Sequence, residues 1–145
     1  MSKLELRSEN LEVEVRRQRW VCDVVKHARE AAPEECCGLL LGHGDEIVDT
    51  FRARNIADGP GTRFLIDPAD HFAGRRAARE RGLDVVGFYH SHPASPPEPS
   101  ERDLAELGYA GCLYAIVSLA TDTPGIGLFR FDEGNFHRVS FVTVG

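Results

Sequence analysis

The residues with the clearest capacity for chemistry are two histidines separated by one residue, His90 and His92, in the stretch FYHSHP. On an extended chain, a spacing of two turns both imidazoles to the same side of the pleat, where they can grip one cation. Pro93 ends the strand's ladder bonding and sends the chain into a proline-rich loop. A zinc site needs a third ligand to return from that loop, and Asp103, three residues beyond Ser100, offers one. Two neutral imidazoles and one carboxylate leave zinc with a net charge of about +1 and an open fourth position for water, the arrangement of a catalytic site.

A metal of this kind makes hydroxide available, but a base must still carry the proton to a leaving amine. A carboxylate is the usual base, and the chain has 23 Asp plus Glu. Glu35 stands immediately before an apolar stretch, where a carboxylate would be expensive without a purpose. Glu34 beside it competes on spacing alone. Each element also has a plainer reading. Ser100 with Asp103 makes a passable helix capping box, and a lone HxH can be structural. The combination of HxHP, a six-residue spacer, then Ser and Asp three apart is hard to assemble by chance. His27, His43, His71 and His137 lack ligand spacing and read as surface or packing residues.

These groups must be carried by something. A chain of 145 residues is the size of one ordinary domain and buries a core without disulfides. It is 42% hydrophobic and 28% charged, with no apolar run near the roughly 18 to 20 residues that cross a bilayer. The start, MSKLELRSEN, has no secretory pattern, so a cytoplasmic location is expected. A net charge of −6 has the wrong sign for a nucleic-acid binder. Cys22, Cys36, Cys37 and Cys112 form no CxxC pair and are expected as buried, reduced side chains. A cysteine nucleophile at Cys36 or Cys37 is the lesser alternative.

Residues 11 to 16, LEVEVR, alternate as a half-buried strand does. Trp20, Val21, Val24, Val25 and Ala28 recur at helical spacing over about residues 17 to 32, before Pro33. CGLLLG, Cys37 to Gly42, suits a strand buried on both faces, with Glu46 to Ala53 as its hairpin partner. Thr62 to Ile66 reads as a strand, and Asp67 with Pro68 opens a helix to about Arg81 whose Arg75, Arg76 and Arg79 form a solvated face. Further strands are expected at Leu83 to His90, Cys112 to Leu119, Gly125 to Phe131 and Phe136 to Val144, with a helix from about Ser100 to Leu107. Interspersed helices and short-turn hairpins imply an α/β or α+β domain with a mixed sheet.

With those elements placed, HSHPASPPEPSERD, His90 to Asp103, resembles the HxHP, six residues, SxxD signature of the JAMM (MPN-plus) metalloproteases at every defining position. HAREAAPEECCGLLLG, His27 to Gly42, is similar to that family's first block, in which a glutamate stands three residues before the glycine. That glutamate is Glu35. The likeness extends over residues 11 to 144 through IVSL, Ile116 to Leu119, and the final hairpin. It implies one domain with the curved mixed sheet and flanking helices of the MPN (cytidine-deaminase-like) fold. It further implies one zinc per chain held by His90, His92 and Asp103, with Glu35 as proton carrier and Ser100 as oxyanion donor.

The implied activity is hydrolysis of peptide or isopeptide bonds after the diglycine-type tail of a ubiquitin-like protein, a tail bound as an added strand. The loop ATDTPG after Leu119 is short, which argues against the insertions that select ubiquitin linkages. Small stand-alone bacterial members of the Mec-like type work with ubiquitin-like sulfur carriers, and that is the favoured partner. An archaeal-style enzyme that strips modifiers from lysines would carry the same residues. A noncatalytic binding module that keeps its metal as a staple is the alternative of another class.

Overall fold

A computed structural model describes residues 19–100 and 111–140. The strand expected at 11–16, the helix from Ser100 to Leu107 beyond its first residue, and the end of the last strand lie outside the described residues. Helix α1 spans Arg19–Ala31, and strands β1 and β2 span Cys37–His43 and Glu46–Ala53. Helix α2 covers Pro68–Glu80, followed by β3 (Asp84–His92), β4 (Leu113–Ser118), β5 (Gly125–Asp132) and β6 (Asn135–Arg138). The described strands form one six-stranded sheet in the order β2-β1-β3-β4-β5-β6. It is mixed, because β3 and β4 run parallel while the other neighbours are antiparallel.

The helices pack on opposite faces, as period-two alternation along β1 requires. Trp20, Val24 and Ala28, spaced by four, set one stripe of α1 against Leu40, Tyr89, Ala115, Val117 and Leu128. On the other face, Leu39, Leu41, Phe88 and Tyr114 pack with Ala78 of α2 and with Phe64. CGLLLG is therefore buried on both sides, as its continuous apolar run implies. Asp67 caps α2 by accepting the Ala69 N–H, and Pro68 opens its first turn. Gly74 is the contact point of that helix: a Cβ there would lie 2.7 Å from Leu39 Cδ2, so only glycine lets α2 come so near the sheet. Arg75, Arg76 and Arg79 are exposed on its outer face.

Expectations for three strands and for two of the cysteines need correction. Residues 62–66 are not a strand; they contribute one isolated bridge, Asn55 to Ile66. The Asn55 side chain takes the Arg63 carbonyl and the Leu65 N–H that a neighbouring strand would otherwise bind. Strand β3 runs two residues further than its apolar pattern, because His90, Ser91 and His92 are buried polar residues that still pair with β4. The last strand ends at Arg138 rather than continuing through Val139 and Ser140. Cys36 and Cys37 are buried as expected, whereas Cys22 is exposed and Cys112 only partly covered; all four are free thiols. Among the described residues no helix is long and apolar enough to cross a membrane.

Candidate functional site

The parallel pairing of β3 with β4 sends both strands out of the same sheet edge, where the antiparallel β1 enters. His90 and His92 close β3 at that edge, both buried on one face. Their Nε2 atoms approach to 3.2 Å. Two imidazole nitrogens that near each other share either a proton or a cation. Tetrahedral zinc with bonds of about 2.0 to 2.1 Å would hold its nitrogen ligands about 3.3 Å apart, so the pair fits one ion.

The orientation of His92 is fixed from behind. Its Nδ1 lies 2.7 Å from the Pro96 carbonyl oxygen. A carbonyl can only accept, so Nδ1 carries the proton and Nε2 presents its lone pair toward His90. The loop that supplies Pro96 is itself held, since the buried Ser118 hydroxyl donates to the Ser95 carbonyl while accepting the Ala120 N–H at 3.1 Å. The Leu119 N–H donates to the His92 carbonyl at 3.1 Å, closing β4 against the end of β3. Pro97 lies over Gly125 and Gly127 of β5, where no side chain stands in its way. Phe64 stacks on the His90 ring with centroids 4.3 Å apart and planes 19° from parallel.

Glu35 enters from β1. The ladder pairs Cys37 with His90, and beyond it the Ser91 N–H donates to the Cys36 carbonyl at 3.1 Å. Continuing that register sets Glu35 across from His92 on the same face. The reciprocal ladder bond is replaced: the Cys36 N–H donates to Ser91 Oγ at 2.7 Å. Glu35 is only 6% exposed, while Glu34 is exposed. A cavity of about 360 Å³ opens beside it, lined in part by His27, Arg54, Asn55 and Ile56.

Ser100 sits exposed at the end of the described loop, and Asp103 lies outside the described residues. Among the described residues no group of three His, Cys, Asp or Glu side chains converges for a metal. The structure thus brings His90, His92 and Glu35 to one edge of the sheet. Burial pushes the Cys36 thiol up to about 11 and the Cys37 thiol up to about 12. Neither is poised as a thiolate nucleophile. Burial, then the charge of Arg52, lowers His27 to about 4, and its ring bonds the Tyr89 hydroxyl at 2.7 Å. Sequence reasoning missed Asn55, Phe64, Ser91 and Ser118. The only local sign was that Asn55 follows a strand and opens a turn-rich loop, which marks many asparagines of no consequence.

Among the described residues a mixed six-stranded sheet between two helices, with a histidine pair at the end of its parallel strands, defines the class as an α+β domain. The family described as prokaryotic homologs of the JAB domain matches residues 17–132, and the chain belongs to it. It is similar to a desampylase of Haloferax volcanii, at 37% identity over 66% of this chain and 73% of that protein. It is also similar to a CysO-cysteine peptidase of Mycobacterium tuberculosis, at 30% identity over 78% of each chain. The crystal structure of a JAB1/MPN domain protein from Archaeoglobus fulgidus shares the fold, with a TM-score of 0.54 at 22% identity over 86% of this chain and 94% of that one.

Proposed function

We propose that this chain is a zinc-dependent peptidase that cleaves the peptide or isopeptide bond following the C-terminal tail of a ubiquitin-like protein. The observation that carries the proposal is the 3.2 Å approach of the His90 and His92 Nε2 atoms, with a buried carboxylate entering opposite them. That donor set suits zinc, and Asp103 would complete it. Zinc, when bound there, supplies the Lewis acidity that polarises a carbonyl and makes water a nucleophile at neutral pH.

The rest falls to the chain's own groups. Glu35 takes a proton from the attacking water and delivers it to the departing amine, a transfer that needs one carboxylate within reach of both. The Ser100 hydroxyl donates to the tetrahedral oxygen, and its loss would cost roughly 10²- to 10³-fold in rate. The Pro96 carbonyl holds His92 in the tautomer that leaves Nε2 available.

The two similar proteins divide the substrate question. Likeness to a desampylase supports removal of a small modifier from a conjugate, and likeness to a CysO-cysteine peptidase supports trimming of a sulfur carrier. The higher identity to the desampylase puts modifier removal first. The experiment offers the zinc-loaded protein two substrates with the same ubiquitin-like tail, one joined to a lysine side chain and one extended by a single amino acid. Cleavage of either, with Glu35→Gln retaining zinc and losing turnover, supports the proposal. Equal cleavage by that variant rejects Glu35 as base, and cleavage of neither substrate rejects the function.

A further inference from the structure

Asn55 follows β2 and touches no reacting group in the proposed hydrolysis, yet its carboxamide meets backbone groups from two separate segments. Its Nδ2 donates to the carbonyl oxygens of Glu35, at 3.0 Å, and Arg63, at 2.9 Å. Its Oδ1 accepts the N–H groups of Ala57 and Leu65, each at 3.0 Å. A primary amide has two N–H donors and two acceptor lone pairs, so its capacity is used in full. Aspartate has the shape without the donors. Serine has one donor and cannot span both carbonyls.

The two segments are the ones whose relative placement matters. One is the backbone of Glu35. The other, Arg63 to Leu65, carries Phe64, whose ring lies against His90 at 4.3 Å. The same loop returns a second tie, because the Glu35 N–H donates to the Pro60 carbonyl at 2.7 Å. Glu35 stands beyond the last β1–β3 ladder pair, so the sheet alone does not hold it. Both faces of its peptide are instead bound by the 55–66 loop, and Asn55 gives that loop its shape.

We propose that Asn55 is a positioning residue, clamping the Glu35 carbonyl and the Arg63–Leu65 segment to one side-chain amide and so fixing the Glu35 carboxylate relative to the His90 ring. The purpose of that spacing rests on the hydrolysis proposed above; the clamp itself does not. Replacing the donors by a carboxylate oxygen sets that oxygen against two carbonyl oxygens and opens the clamp without changing side-chain size.

The test compares wild type with Asn55→Asp in the full zinc-loaded chain. On a fusion bearing a ubiquitin-like tail, kcat is expected to fall roughly 10- to 100-fold, the usual effect of removing an outer-shell partner. KM should stay within about threefold, because uniform substrate binding is not what the clamp supplies. Amide exchange is the second readout: Glu35 and Cys36 should exchange at least about tenfold faster while Leu39 and Leu41 of β1 are unaffected, a local opening rather than global unfolding. Asn55→Ser, with no reach to both carbonyls, serves if the carboxylate prevents folding. Unchanged kcat, or acceleration of β1 exchange in step with Glu35, overturns the assignment. Should wild type leave the fusion intact, the proposed function fails, and the exchange data alone still decide the clamp: unchanged Glu35 exchange sinks it.

Discussion

The substitution Gly127→Ala tests whether the proline-rich loop holds the proposed metal ligands in register. Gly127 lies on β5, remote from the histidines in sequence, and a Cβ there would overlap the Pro97 carbonyl oxygen and come within 2.7 Å of Phe129 Cε1. The phenyl ring can turn aside, but the Pro97 oxygen belongs to the backbone. Restoring an ordinary carbon–oxygen separation of about 3.3 Å requires the loop to withdraw by roughly 1 Å. Pro96, the neighbouring residue, is the acceptor that orients His92, and Ser100 ends the same loop. A misplacement of roughly 1 Å in such a constellation can cost on the order of 10²-fold in rate. Zinc affinity by chelator competition and cleavage of a tail fusion should both fall by about one to two orders of magnitude. The thermal midpoint should drop by only a few degrees, since beyond a turn of the Phe129 ring the two core clusters on either side of the sheet keep their packing. A variant with wild-type affinity and turnover would refute the idea that the loop's seat on β5 positions the site.

Three further outcomes are expected. Ser118→Ala removes the hydroxyl that ties the Ser95 carbonyl; it should weaken zinc binding about tenfold and reduce stability by about 1 kcal/mol, read by chelator competition and urea unfolding. Native protein alkylated at neutral pH should be modified at the exposed Cys22 and keep its activity, because burial holds the Cys36 and Cys37 thiols protonated; a chelator should abolish activity and zinc restore it. His27 is held by burial at about 4 in the folded state, below its ordinary value of 6.5. The unfolded chain therefore binds the extra proton first, so stability from this group is full above about pH 6.5 and is lost as pH falls toward 4. In Tm measurements at steps across that window, His27→Gln should lessen the decline.

Much of the fold was legible because burial imposes simple periods. The spacing of Trp20, Val24 and Ala28 located α1, the run CGLLLG located a doubly covered strand, and Asp67-Pro68 marked the start of α2. The histidine pair was legible for the same reason, since a spacing of two on a strand has one geometric meaning. Residues 62–66 misled because Phe64 and Ile66 pack on the second core, and Phe64 on His90, while a side chain supplies the pairing that a neighbouring strand would give. Ser91, Ser118 and Asn55 were invisible because each acts through a backbone group far away in sequence, and nothing in a serine or asparagine announces which carbonyl it will meet.

The position of the site follows from the one parallel pair among the described strands. Antiparallel neighbours joined by tight turns return each chain end to the opposite edge, so their exits alternate. Strands β3 and β4 instead leave by the same edge, and the connection between them must cross over, so the loop that begins at Pro93 starts at that edge. Two loops, after His92 and after Ser118, therefore rise side by side, and the hydroxyl of Ser118 can brace the first against the second. Strand β1, antiparallel to β3, begins where β3 ends, which brings a residue 55 positions upstream of His90 to the same place. If β4 were antiparallel to β3, Ser118 would sit at the far edge and His92 would lose the brace behind Pro96. The chemistry is tied to that single reversal of strand direction, and substitutions at the opposite edge, such as Asp84→Asn or His43→Gln, should leave zinc affinity unchanged in chelator competition.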